Sequence, residues 1–204
     1  MADEDSPPIV FEVDGATAIL RFNRPARRNT LSLDTLQELS RITSDVFPRD
    51  EIHAVIFTGT EDVFASGANI YELAQLDPGA ALEFSQRGQK LFQTIADARQ
   101  VTIAAINGYC MGGGLDLALA CDLRVASKSA VFSHPGARLG IITGWGGTQR
   151  LPRMIGRANA LEFFIRGRRY SSDEALGVGL IGQVSDSVVA DALKLAQRSQ
   201  NRER

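Results

Sequence analysis

The chain has 204 residues, 44% of them apolar and 23% charged, with a formal net charge of −2. At about 150 residues per domain this is one domain, or one with an appendage, with the composition of a folded chain that buries a core. The charge gives nucleic-acid binding no support, no apolar run reaches the roughly 18 residues of a membrane helix, and two cysteines, Cys110 and Cys121, make no disulfide framework. The acidic start Met1-Ala2-Asp3-Glu4-Asp5 lacks the positive charge of an export signal. A cytoplasmic location is expected, with neither nucleic acid nor membrane as partner.

Residues 1–8 read as a mobile acidic tail. Ile9–Val13 and Thr17–Phe22 alternate as strands about the turn pair Asp14-Gly15. Ser32 caps a helix with Leu33, Leu36, Leu39, Thr43 and Val46 along one face, ended by Pro48. His53–Thr58 is a continuous apolar strand, and Gly59–Gly67 a loop. Ile70–Ala74 is a helical turn. Asp77-Pro78 opens a long helix to about residue 98. Val101–Ile106 is a buried strand, Asn107–Gly114 a glycine-rich turn, and Leu115–Ala120 a helix. Short strands at 122–126 and 131–132 precede a second glycine-rich stretch, Gly136–Gly147. Helices follow at 148–154 and 158–165. Ser171 to Glu174 is a capping box. A strand at 183–184 and a last helix from Asp186 complete the chain. Strands alternating with helices make an α/β protein with largely parallel sheets.

Familiar chemistries are missing. The glycines after Ile106 have the wrong spacing for a dinucleotide fingerprint, and none precedes Lys-Ser/Thr as in a nucleotide-triphosphate loop. Two distant histidines and unpaired cysteines give no metal ligand set. The Gly-x-Ser-x-Gly elbow is absent.

Two segments carry the chemistry: Phe64-Ala65-Ser66-Gly67-Ala68-Asn69-Ile70, and Asn107-Gly108-Tyr109-Cys110-Met111-Gly112-Gly113-Gly114-Leu115-Asp116. Each follows a buried strand and brings small residues to a helix start, where backbone N–H groups are unpaired. Side by side they form an oxyanion hole, helped by the positive end of the helix near Gly113. Asp116 lies one turn further on. Its carboxylate either faces the reacting carbons or merely complements the helix dipole.

These segments resemble the crotonase family, the enoyl-CoA hydratase/isomerase superfamily. The likeness extends over Asn23-Arg24-Pro25, Asn29-Thr30-Leu31, Val55–Gly59, Phe64–Ile70, Ile106–Asp122, Gly144–Arg153, Glu174-Ala175-Leu176 and Gly179-Leu180, in that order. It implies a ββα spiral core with nearly perpendicular sheets over residues 9–185. Residues 186–204 would begin a C-terminal helical region that is short or truncated. It implies an acyl-CoA substrate, no cofactor beyond the coenzyme A carried by that substrate, no metal, and a homotrimer or hexamer. Ala68 and Gly113 match the two family residues whose N–H groups polarise the thioester. Ala65, Ser66, Ala68, Asn69, Ile70, Tyr71 and Gly113 match the thioester and pantetheine lining, and Arg27 and Arg28 the meeting place with the nucleotide.

The sequence departs from the family at its acid/base pair. Family hydratases use two glutamates. The first position holds the shorter Asp116, and the second holds Gly136, in Phe132-Ser133-His134-Pro135-Gly136. His134 is an alternative acid/base; the plainer expectation is a structural hydrogen bond to backbone or solvent. Trp145 is an acyl-pocket wall or a buried anchor. Cys110 and His134 also suggest the nucleophile and base of Clp-type serine peptidases, against the commoner small buried cysteine. Arg150, Arg153 and Arg157 are expected in ion pairs, with contact to the coenzyme A phosphates as the alternative. Enoyl-CoA hydration in fatty-acid or related acyl-CoA catabolism leads as the expected activity. A double-bond isomerase using one carboxylate, or a non-catalytic acyl-CoA-binding protein, is the alternative.

Overall fold

The computed structural model describes residues 6–200. The expected tail lies mostly outside the described residues. Where it enters them it is bonded: Arg24 donates to the Ser6 carbonyl at 3.1 and 3.2 Å, and Asn23 N–H to the Pro8 carbonyl at 3.0 Å.

A six-stranded sheet runs in the spatial order Ile9–Asp14, Thr17–Phe22, Ala54–Thr58, Val101–Ile106, Leu123–Ser127, Gln183–Ser185. The first two strands form an antiparallel hairpin; all other pairings are parallel. Its two central strands, Ala54–Thr58 and Val101–Ile106, are almost wholly apolar because both faces are covered. Leu20, Phe57, Ala104 and Ile106 face the main core. Ile19, Ile56, Ile103 and Ala105 face the other way, onto Val188, Ala192 and Ala196 of the helix Val188–Gln200. That last helix, expected from Asp186, therefore seals the outer face of the sheet.

A second sheet of short strands has the order Tyr170–Ser171, Val131–Ser133, Tyr109–Met111, Val63–Ala65. Two of its strands, 63–65 and 109–111, lie in segments expected to be loop and turn. They are three residues each, too short for the alternation that marks a strand. The pair Thr30–Leu31 with Gly67–Ala68 is shorter still.

The motif asparagines fasten these loops together. Asn29 donates to the Val63 carbonyl at 2.9 Å and accepts from Arg24 N–H at 2.8 Å. Asn107 accepts from Gly59 N–H at 2.9 Å and donates to the Glu61 carbonyl at 3.0 Å. The caps expected at Ser32, Asp77 and Ser171 all form, the last as a full capping box.

Candidate active site

The strands Val63–Ala65 and Tyr109–Met111 pair in parallel, so the segments leaving them run side by side. At Gly67, with φ +94°, the chain turns against Gly113: an ideal Cβ on Gly67 would lie 2.8 Å from Gly113 N. An ideal Cβ on Gly113 would lie 3.5 Å from Ala68 N. Gly67 must thus lack a side chain for the two backbones to meet. Gly113 opens the helix Gly113–Ala120, so its N–H has no intrahelical acceptor.

Ala68 and Gly113 line one cavity of about 410 Å³ together with Asp116, His134 and Gly136. Asp116 is 1% exposed. His134 Nε2 stands 2.9 Å from its Oδ1, and the Thr143 hydroxyl donates to its Oδ2. An ideal Cβ on Gly147 would lie 2.0 Å from Asp116 Oδ1, so glycine there lets the chain close over the carboxylate. His134 is buried, with Phe164 5.2 Å from its ring. The expected structural bond of His134 to backbone or solvent is corrected: its partner is the carboxylate at the first acid/base position. Thr143 was not legible, because nothing in the spacing of the second glycine-rich stretch says which side chain turns inward.

The other expected site residues separate into wall and support. Ser66, Ile70 and Trp145 line the cavity, while Ala65, Asn69 and Tyr71 do not. Ala65 is fully buried beneath Gly114, whose ideal Cβ would lie 2.3 Å from the Ala65 carbonyl oxygen. Asn69 caps the turn Ile70–Leu73, and Tyr71 is 80% exposed. Arg28 salt-bridges Asp62 at 2.9 Å and lies over the Tyr109 ring. With Arg138 and Arg169 it lines a chamber of about 420 Å³ that shares Ser66 and Pro135 with the cavity. Arg27 lines neither space.

Trp145 is both wall and anchor: it is 4% exposed and touches Phe84 and Phe92 at ring separations of 5.2 and 5.5 Å. Gly136 has no room for a side chain, since an ideal Cβ would lie 2.7 Å from the Ile141 carbonyl oxygen. The peptidase-like reading of Cys110 is corrected. Burial pushes its thiol well above the usual value, as does the nearby Asp116 carboxylate, and His134 is turned to Asp116. Among the described residues the ion pairs expected of Arg150 and Arg153 do not form. Arg150 donates to the Trp145 carbonyl and Gln93, and Arg153 to Gln149. Among the described residues no cluster of His, Cys, Asp and Glu is arranged to hold a metal ion, and no helix is long and apolar enough to cross a membrane.

A family model described as enoyl-CoA hydratase/isomerase matches residues 12–204. The chain belongs to the enoyl-CoA hydratase/isomerase family. It is 37% identical over 177 residues to the short-chain-enoyl-CoA hydratase of Clostridium acetobutylicum, covering 86% of this chain and 68% of that protein. It is 37% identical over 193 residues to the crotonyl-CoA hydratase of Syntrophomonas wolfei, covering 93% of this chain and 74% of that one. Its α/β architecture matches the crystal structure of an enoyl-CoA hydratase from Bacillus anthracis at TM-score 0.89 and 34% identity, over 94% of this chain and 76% of that chain. Within this enoyl-CoA hydratase/isomerase chain, Ala68 and Gly113, the two residues expected to supply N–H groups, share one cavity with Asp116.

Proposed function

We propose that this chain acts on enoyl-CoA thioesters by holding an enolate at the N–H groups of Ala68 and Gly113. The observation that carries this reading is the meeting of Ala68, Gly113 and the Asp116–His134 pair at one cavity. Donors aimed at the thioester oxygen stabilise the charge that develops there more than the neutral ground state, which lowers the barrier to enolate formation. Leu73, Leu76, Phe84 and Ile142 supply an apolar wall for the acyl chain. The arginine chamber supplies charge for the coenzyme A phosphates. No cofactor is needed beyond that coenzyme A. A trimeric or hexameric assembly and an intracellular role in acyl-CoA breakdown belong to the same reading.

Hydration of a 2-enoyl-CoA leads, as in the relatives' names. Isomerisation of a 3-enoyl-CoA is the second reading, favoured by one observation: Gly136 brings no second carboxylate and has no space for one. The two separate in a spectroscopic assay of crotonyl-CoA beside a 3-enoyl-CoA. Loss of the conjugated absorbance of the first identifies a hydratase, and its appearance from the second an isomerase. Tight binding with neither change contradicts both and identifies an acyl-CoA-binding protein.

A further inference from the structure

We propose that His134 is the group that moves the proton, through its Nδ1 atom, and that Asp116 is the positioning residue that holds it. This rests on the enolate reading above and assigns the roles within its acid/base pair.

The bonding of the two side chains is unequal. Both oxygens of Asp116 are engaged, Oδ1 with His134 Nε2 and Oδ2 with the Thr143 hydroxyl. In the proposed tautomer His134 donates from Nε2–H to the carboxylate, which leaves the lone pair on Nδ1. Nδ1 has no hydrogen-bond partner among the described residues. It is not sealed from solvent either, since Gln100 Oε1 is the one unpartnered side-chain nitrogen or oxygen that is fully buried among them. His134 lines the cavity that Ala68 and Gly113 line. Both side chains line the cavity, but both carboxylate oxygens are already engaged, so the ring atom left to take up a proton is His134 Nδ1.

The surroundings leave that role to the pair alone. Cys110, on the strand beside His134, remains a thiol because burial raises its pKa well above the usual value. Tyr170 stacks on Phe163 beneath Arg168. Glu162 and Arg166, on the helix that carries Phe164, pair with each other at 3.2 Å. Arg138 lies beside Gly167, on the backbone side of His134.

One imidazole balances either reaction. In hydration, Nδ1 takes a proton from water as the water oxygen bonds to C3. The C2=C3 electron pair moves into the thioester as an enolate, and Nδ1–H returns the proton to C2 as the carbonyl re-forms. In isomerisation, Nδ1 takes a proton from C2 of a 3-enoyl-CoA and returns it to C4, leaving the double bond at C2=C3. In both, Asp116 keeps its charge and faces the transient imidazolium, as the orienting carboxylate of a catalytic triad does.

The test compares His134→Gln, His134→Ala and Asp116→Asn in the full chain, on whichever of crotonyl-CoA or a 3-enoyl-CoA the unmodified protein converts. Gln keeps a donor for Asp116 and removes the base; Asn keeps an acceptor for Nε2–H and removes the charge. The expected result is a fall in kcat of at least about 100-fold for His134→Gln with KM little changed. For Asp116→Asn the expected fall is about tenfold, and added imidazole restores turnover to His134→Ala and not to Asp116→Asn. Near-normal turnover by His134→Gln beside a large loss in Asp116→Asn overturns the assignment and makes the carboxylate the base. So does a folded His134→Ala that imidazole does not rescue. If the unmodified protein converts neither substrate, the enolate reading fails and this assignment with it.

Discussion

The indole of Trp145 occupies the space where a side chain on Gly113 would stand. An ideal Cβ on Gly113 would lie 2.3 Å from Trp145 Cζ3, and one on Gly88 would lie 2.3 Å from Trp145 Cδ1. The ring is thus clamped between the long helix Pro78–Ala96 and the start of the helix that carries Asp116. The proposed oxyanion hole and the core share one contact.

That contact gives the first prediction. Gly113→Ala should destabilise the protein by about 1–3 kcal/mol through overpacking, and Trp145→Ala by about 3–5 kcal/mol through the cavity it leaves. In the double variant the added methyl meets space instead of a ring, so the losses should sum to less than the two single values. Urea unfolding of the four proteins measures this; strict additivity would show that the indole does not constrain Gly113.

The second prediction removes a donor without touching the acid/base pair. Ala68→Pro deletes one of the two N–H groups proposed to hold the enolate. Turnover should fall about 10²–10³-fold, with acyl-CoA affinity measured by calorimetry changed far less. An unaltered kcat in a variant with native circular dichroism would place the thioester oxygen elsewhere.

The third concerns the vacant acid/base position. Gly136→Glu supplies the missing carboxylate in composition only, because its Cβ must displace the backbone at Ile141, whose N–H donates to the Gly136 carbonyl at 3.0 Å. The variant should lose about 1–3 kcal/mol of stability and gain no hydratase activity. A gain in crotonyl-CoA hydration would show that the 136–141 turn yields.

The fourth is a pH dependence. Burial pushes the Cys121 thiol up from 9.0 to about 12. Above its ordinary value the unfolded chain releases a proton that the folded chain keeps, so folding stability should fall as pH rises from about 9 towards 12. Cys121→Ser, measured by thermal unfolding across that range, should flatten part of the slope. An unchanged slope would assign it to other groups.

Much of this site was legible in the sequence, and the reasons are local. The small residues about Gly67 and Gly113 mark close backbone approach wherever they occur, and Asp116 is fixed three residues into the helix that Gly113 begins. Ser32, Asp77 and Ser171 announce their helices through bonds to residues three positions on. What remained hidden depends on distant segments meeting. His134 and Asp116 are 18 positions apart and Thr143 and Asp116 27, and no spacing rule links them. The motif was readable, but the Arg28, Arg138 and Arg169 chamber draws on three separate segments. The exclusion of a side chain from Gly136 comes from Ile141 folding back, a fact of the turn and not of the glycine.

The central claim is enolate formation at Ala68 and Gly113, and α-proton exchange tests it most directly, without regard to which double-bond reaction follows. Butyryl-CoA, which has no double bond to hydrate or move, is incubated with the protein in D₂O and followed by proton NMR. The expected result is catalysed loss of the C2 proton signal with no other change in the acyl chain, and its suppression in Ala68→Pro. A complex that binds butyryl-CoA yet leaves the C2 protons in place at the uncatalysed rate would contradict it.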